Sequence, residues 1–228
     1  MSGTERRDET LRISRTHFPV TALGPGRRLG VWVQGCPLAC KGCMALDTWD
    51  AAAGTEVAVA DLAGRWEEAI RRGATGLTVS GGEPLAQPAA LARFLAAADR
   101  VRAGAGPECD ILLYTGYELD ELDPEQRAAT EHADVLVTGR YDASAPTDLV
   151  WRGSANQAMV LRTELGRRRF AEHVGERPAN PPIQVRVDAA GAWIVGVPRR
   201  GTLQRLDHRF RAAGLDVARV SWRRSEAD

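Results

Sequence analysis

Four short apolar runs, Leu29 to Val33, Leu77 to Ser80, Ile111 to Tyr114 and Val135 to Val137, constrain this chain more than any other feature. Each runs straight into a loop carrying glycine, and each is separated from the next by a segment long enough for a helix. Asp61 is placed to cap a helix whose apolar face is Leu62, Trp66, Ala69 and Ile70, closed by Gly73. From Pro88 to about Arg102 the spacing of Leu91, Phe94, Leu95, Ala98 and Val101 is again helical, and a further helix is expected from Pro124 to His132. Alternation of this kind predicts an α/β fold with a parallel sheet and right-handed crossovers, in which every strand leaves the sheet at one edge. The loops after the strands therefore meet there. They are Cys36 to Cys43, Gly81-Gly82-Glu83-Pro84, Thr115-Gly116-Tyr117 and Thr138-Gly139-Arg140.

The chain is expected to divide into a polar leader over 1–19, the alternating domain over 20–162, and a C-terminal α+β extension over 163–228. The spacer Gly175 to Pro182 is rich in Pro and Gly. Beyond it come a strand at Ile183 to Val187, a turn at Ala189 to Gly191, and a second strand at Ala192 to Val195. A helix marked by Leu203, Leu206 and Phe210 precedes a last strand from Val217 to Trp222. With 30 basic and 30 acidic residues in 228, no net field draws the chain to nucleic acid or to an anionic membrane. No apolar run reaches the length of a membrane span, and the polar start lacks the apolar core of a secretory signal. A cytoplasmic location is expected.

Cys36, Cys40 and Cys43 present three thiolates from one compact loop, while Cys109 stands apart as a small buried side chain before a strand. Three sulfurs suit a four-iron cluster with one iron left open for a small chelating ligand. They also suit zinc, with His17, His132, His173 or Cys109 as the fourth ligand, although none of these has a paired zinc spacing. A scaffold without catalysis is compatible with either. Gly81 and Gly82 let the backbone approach a ligand closely, and Glu83 adds a carboxylate for an ammonium group; a tight turn with a solvated glutamate would read the same. Tyr117 fits either a core aromatic or a ligand contact, and Arg152 either an ion pair or recognition.

The order of the cysteine loop, Ser80 to Pro84, Tyr114 to Tyr117, Asp134 to Val137 with Gly139-Arg140, and Trp151 to Gln157 resembles the activating proteins of anaerobic ribonucleotide reductase. Pyruvate formate-lyase activating enzymes are close relatives of these. The resemblance covers about residues 20 to 160. It implies a partial (β/α) barrel in which Cys36, Cys40 and Cys43 bind a [4Fe-4S] cluster and S-adenosylmethionine chelates the open iron. It implies further that a 5′-deoxyadenosyl radical takes a hydrogen atom from a glycine of a partner enzyme, with flavodoxin or ferredoxin as electron donor. Gly42, Cys43 and Met44 would then lie against the adenine, Gly81, Gly82 and Glu83 would hold the methionyl amine, and Thr115 and Gly116 would line the same pocket. Met44 stands where that family commonly carries a flat side chain. The extension lies outside the resemblance, and a small-molecule, nucleoside or peptide substrate selected by it is the alternative reading.

Overall fold

A computed structural model describes residues 9–105, 108–188 and 191–214. Seven of the described strands form one sheet in the order β3-β1-β2-β4-β5-β6-β7: β1 (Thr10–Val20), β2 (Arg28–Val33), β3 (Thr55–Ala58), β4 (Gly76–Gly81), β5 (Asp110–Tyr114), β6 (Val135–Thr138) and β7 (Ala158–Leu161). The four central strands β2, β4, β5 and β6 are parallel, while β1 and β3 on one side and β7 on the other pair antiparallel. The order ends on two different strands and does not close on itself, an open arrangement compatible with a partial barrel. Helices α1 (Val59–Arg71), α2 (Pro88–Ala105) and α3 (Pro124–Ala129) make the crossovers. No described helix is long and apolar enough to cross a membrane.

Alternation along the strands sorts the two faces. Leu29, Val31, Val33, Leu77, Val79, Ile111, Leu113 and Leu136 pack against Leu62 and Trp66 of α1 and Leu91, Phe94 and Leu95 of α2. Trp66 is fully buried and its indole N–H finds Ala98 O at 3.2 Å, so its large apolar surface is buried with no polar atom stranded. On the other face, Leu112, Val135 and Val137 form the inner cluster with Trp151, Met159 and Phe170. The lower part of this interior is polar. Arg28 and Asp110 are both fully buried and paired, and Arg169 adds a second contact to Asp110 at 2.5 Å.

Several segments differ from the expectation. Residues 10–19, read as a polar leader, belong to β1, which puts Leu11 and Ile13 into the core and its charged residues outward. Helix α1 is preceded by Ala58 in extended conformation, with no side-chain cap, and Asp61 lies inside the first turn, where its charge still opposes the positive helix end. Helix α3 ends at Ala129, three residues short of His132, with Asp123 and Gln126 forming a reciprocal cap at its start. Helix α4 (Glu164–Phe170), set by sequence with the extension, packs into the barrel: Phe170 is fully buried, and Thr163 Oγ1 donates to Asp134 at 2.6 Å. The spacer after it has no regular element up to the hairpin of β8 (Ile183–Asp188) and β9 (Gly191–Gly196), which α5 (Thr202–Ala212) follows. The strand expected at Val217 to Trp222 lies outside the described residues.

The hairpin is fastened to the sheet. Gln184 donates to Pro19 O at 3.1 Å and accepts from Thr21 N at 2.7 Å. Val195 packs with Val20, Ala22 and Leu23, and Trp193 meets Trp32 and His17 edge-on with centroids 5.6 and 5.4 Å away.

Candidate metal centre and ligand cavity

The cysteine loop leaves β2 through Gly35, whose φ of +95° is a left-handed conformation that a side chain would strain. Buried Gln34 holds the returning limb, donating to Asp47 O at 3.1 Å and Asp50 O at 2.8 Å. Gly35 N and Cys36 N bond to Thr48 O and Trp49 O, and Cys43 N closes a turn on Cys40 O at 3.1 Å. The backbone of the loop is thus fixed by its own sequence neighbours, and the three sulfurs are half-buried and reduced. Burial foremost pushes the Cys36 thiol above its ordinary pKa, with the charges of Glu83 and Cys43 adding; amide donors at Leu38 and Ala39 work the other way. A cationic iron bound there would reverse the balance in favour of thiolate.

Among the described residues no three His, Cys, Asp or Glu side chains converge closely enough to hold a single ion. A tetrahedral zinc needs its ligands at one point, whereas a cluster takes each sulfur on a different iron and tolerates a wider spread. The donor set, three thiolates on a preformed loop, fits a [4Fe-4S] cluster.

The glycine loop is clasped to the cysteine loop. Gly82 N donates to Val33 O and Glu83 N to Gly35 O, both at 2.9 Å. A Cβ on Gly82 would stand 2.2 Å from Gly35 O, and one on Gly81 would stand 2.5 Å from Val33 N, so only glycine fits at either place. Glu83 is buried rather than solvated. Its Oε1 accepts from Leu85 N and Thr115 Oγ1, both at 2.9 Å, and its Oε2 accepts from Gly116 N at 2.7 Å. Burial pushes this carboxyl upward against those three donors. Through Glu83 the loops after β4 and β5 are tied together, and Leu38 of the cysteine loop lies so close to Gly116 that a Cβ there would come within 2.4 Å of it. Tyr117 lies under the Arg140 guanidinium, 5.5 Å from the ring centre, and Arg140 in turn pairs with Glu121 at 2.7 Å.

A cavity of about 400 Å³ opens beside this clasp. Gly42, Cys43, Met44 and Gly81 line it, and the half-buried Gly82 and Gly116 and the buried Glu83 and Thr115 belong to the clasp beside it. Its far wall comes from Trp151 to Gly153 and from Trp193, Ile194 and Leu203 of the extension. Sequence reasoning passed over Tyr141, whose ring lies between two glycines: a Cβ on Gly42 would be 3.4 Å from it and one on Gly153 2.9 Å. A lone tyrosine in a polar loop carries no periodic signal, and only those glycine neighbours mark it. Trp151 has φ +57°, uncommon for a tryptophan, and its indole N–H is enclosed without a partner among the described residues, while its ring meets that of His173 at a tilt of 60° with centroids 4.7 Å apart. Cys109 is buried away from the loop, its sulfur 3.5 Å from Ala74 O.

The family described as "4Fe-4S single cluster domain" matches residues 22–160. The anaerobic ribonucleoside-triphosphate reductase-activating protein of Haemophilus influenzae is 39% identical over 150 residues, 62% of this chain and 92% of that protein. Its counterpart from Vibrio cholerae is 39% identical over 152 residues, covering 63% and 94%, and that of Escherichia coli K12 is 36% identical over 153 residues, covering 63% and 94%. Among solved structures, QueE from Escherichia coli aligns with 96% of this chain and 97% of its own at 12% identity and a TM-score of 0.40.

Proposed function

This chain belongs to the family of anaerobic ribonucleoside-triphosphate reductase-activating proteins, and from that premise we propose that it is a radical S-adenosylmethionine enzyme that installs a glycyl radical on a partner reductase. One observation carries the reading: the three-cysteine loop is clasped by Gly81 and Gly82 at the edge of a cavity of about 400 Å³, a volume within the usual range for small-molecule sites. When bound, the [4Fe-4S] cluster and S-adenosylmethionine together supply a one-electron cleavage of the sulfonium, giving methionine and a 5′-deoxyadenosyl radical that abstracts hydrogen from glycine.

The chain's own residues bind, orient and exclude water. Cys36, Cys40 and Cys43 supply three thiolates, leaving one metal position for the cofactor. Gly81 presents bare backbone to the methionyl end, and Gly42, Cys43 and Met44 present a wall to the adenine. Gly82 and Glu83 join Gly81 in holding the methionyl amine, and Thr115 and Gly116 line the same pocket, while the Glu83 carboxylate also ties the loops after β4 and β5 together. Trp151 and Trp193 keep solvent from the space where a radical would form. The partner is a glycyl radical enzyme of the anaerobic reductase type, the electron donor a flavodoxin or ferredoxin, and the compartment the cytoplasm.

A second reading has its own observation. The part of the chain after residue 162, beyond the domain over 20–162, contributes Trp193, Ile194 and Leu203 to the cavity wall, which favours a small molecule or peptide as the hydrogen donor. Anaerobic reconstitution, paramagnetic resonance of the reduced protein with and without S-adenosylmethionine, and assay of 5′-deoxyadenosine test the chemistry. Co-incubation with the natural reductase then separates the two readings. A glycine-centred doublet supports the activase; deoxyadenosine without that doublet moves the substrate to the small-molecule class, and absence of both cluster and deoxyadenosine overturns the radical mechanism.

A further inference from the structure

The extension carries its charge unevenly. Over 183–214 stand six arginines, Arg186, Arg199, Arg200, Arg205, Arg209 and Arg211, against Asp188 and Asp207, in a chain whose 30 basic and 30 acidic residues cancel overall. The remainder is therefore acidic by the same four charges. Helix α5 sorts its side chains. Leu203, Leu206 and Phe210 recur at helical spacing and are half-buried, as is Asp207, while Arg205, His208, Arg209 and Arg211 are exposed. Arg199 is matched by Asp148 at 3.2 Å, but no carboxylate pairs with Arg200, Arg205, Arg209 or Arg211 among the described residues, and Arg205 reaches only Thr202 Oγ1, at 3.0 Å. The negative end of the helix accounts for Arg209 and Arg211 in its last turn. It does not account for Arg200 and Arg205, which flank the positive end, where the dipole opposes a cation.

Their position supplies a reason. Arg199, Arg200, Leu203 and Gln204 line the cavity, so α5 starts at its wall, while Arg205, Arg209 and Arg211 lie beyond the lining. A helix of 11 residues rises about 16 Å. The cations thus form a track from the cavity rim outward, longer than a small ligand, and Arg205 and Arg209 stand one turn apart on it. A nucleic acid would run on past the track onto the acidic remainder, and no exposed aromatic residue on α5 offers a surface for a base to stack on. A protein segment bearing a few carboxylates matches both the length and the charge.

We propose that the exposed face of α5, with Arg200 at its cavity end, is a docking surface for an acidic segment of the protein substrate, which it guides so that the glycine-bearing part of that protein meets the cavity. The inference rests on the reading of this chain as a radical enzyme that acts on a partner protein. It assigns a role to a part of the chain that lies outside the matched residues 22–160.

In a first arm, fluorescein-labelled hexaglutamate is titrated with the reconstituted full chain at low salt and followed by fluorescence anisotropy. Saturable binding that weakens with added salt is expected. It should fall roughly tenfold or more in the Arg205→Glu, Arg209→Glu double variant and stay unchanged in Arg167→Glu, Arg168→Glu, which reverses two exposed arginines of α4. No binding, equal loss in both double variants, or tighter binding of a labelled thymidine oligonucleotide of the same length overturns the proposal. The second arm uses the natural reductase as substrate and dithionite as reductant. A KM for the reductase raised roughly tenfold by the α5 reversals, with kcat and the reductase-free yield of deoxyadenosine unchanged, is the expected result. An unchanged KM overturns the proposal, and if the same reversals slow reduction by flavodoxin, the face serves the electron donor instead. Loss of kcat and of reductase-free yield together shows a purely structural helix face and overturns it too. Failure of the radical reading is seen separately, as wild-type protein that forms no deoxyadenosine, while the peptide arm still decides the surface.

Discussion

Replacing Gly82 with alanine tests the clasp between the two loops. Gly82 has no left-handed φ, so alanine is allowed by the backbone and the only obstacle is space. The added Cβ would lie 2.2 Å from Gly35 O, 2.8 Å from Gly35 C and 3.0 Å from Thr48 O. These are backbone atoms that cannot rotate away, and the closest is roughly 1 Å short of an ordinary contact. Relief requires the chain before Cys36 to move by about that distance. Overpacking of this kind costs about 1–3 kcal/mol, which in a domain of this size lowers the melting temperature by roughly 2–12 °C. A displacement of about 1 Å at a reacting centre costs on the order of a hundredfold in rate. Gly64→Ala is the control: it lies in α1 with nothing within 4 Å of the new Cβ, and helix propensity predicts a gain of about 0.5–1 kcal/mol. Differential scanning calorimetry, iron content after reconstitution and deoxyadenosine yield would be measured on both. Gly82→Ala with wild-type melting temperature, iron content and yield would refute the clasp.

Alanine at Cys36, Cys40 or Cys43 is expected to abolish the four-iron absorbance and cofactor cleavage, whereas Cys109→Ala, distant from the loop, should retain both; equal loss in all four would refute the assignment. Asp110→Ala leaves Arg28 and Arg169 facing one another in a buried site and should cost about 3–5 kcal/mol by urea denaturation, with the Arg28→Met, Asp110→Leu double variant recovering most of it. His17 is held below its ordinary pKa of 6.5, by burial first and by Arg186 second, so the folded chain takes up a proton less readily than the unfolded one. Stability from this residue is present above the ordinary value and is lost as the pH falls through the lowered one. His17→Phe, which keeps a ring against Trp193, should flatten the decline in melting temperature over roughly pH 7 to 5; an unchanged slope would show that His17 is not its source.

What was legible along the chain was legible for local reasons. The four central strands announce themselves because both of their faces are buried, which turns them into continuous apolar runs. Strand β1 lies at the antiparallel side, where Leu11 and Ile13 alternate with Arg12 and Ser14, and that alternation reads as a polar leader until a sheet supplies the buried side. Arg28 looks like a solvent-facing residue at a strand start. It is buried because Asp110, eighty-two positions later, stands opposite it. Glu83 shows the same limit, since a glutamate after two glycines reads locally either as solvated or as turned to an ammonium group, and its burial depends on the donors that Thr115 and Gly116 bring to it.

By itself the sequence determined the α/β alternation, the shared edge at which four loops meet, and the three thiolates with the glycine pair that follows them, because periodicity and loop chemistry are properties of neighbours along the chain. Only the tertiary structure decided that Gly82 must be bare to clear Gly35, that Glu83 ties loops together, that Tyr141 lies between Gly42 and Gly153, and that the C-terminal hairpin walls the cavity. Each of these depends on atoms brought within a few ångströms by strands far apart in the chain, where burial and close contact set the energies and sequence spacing carries no record of them.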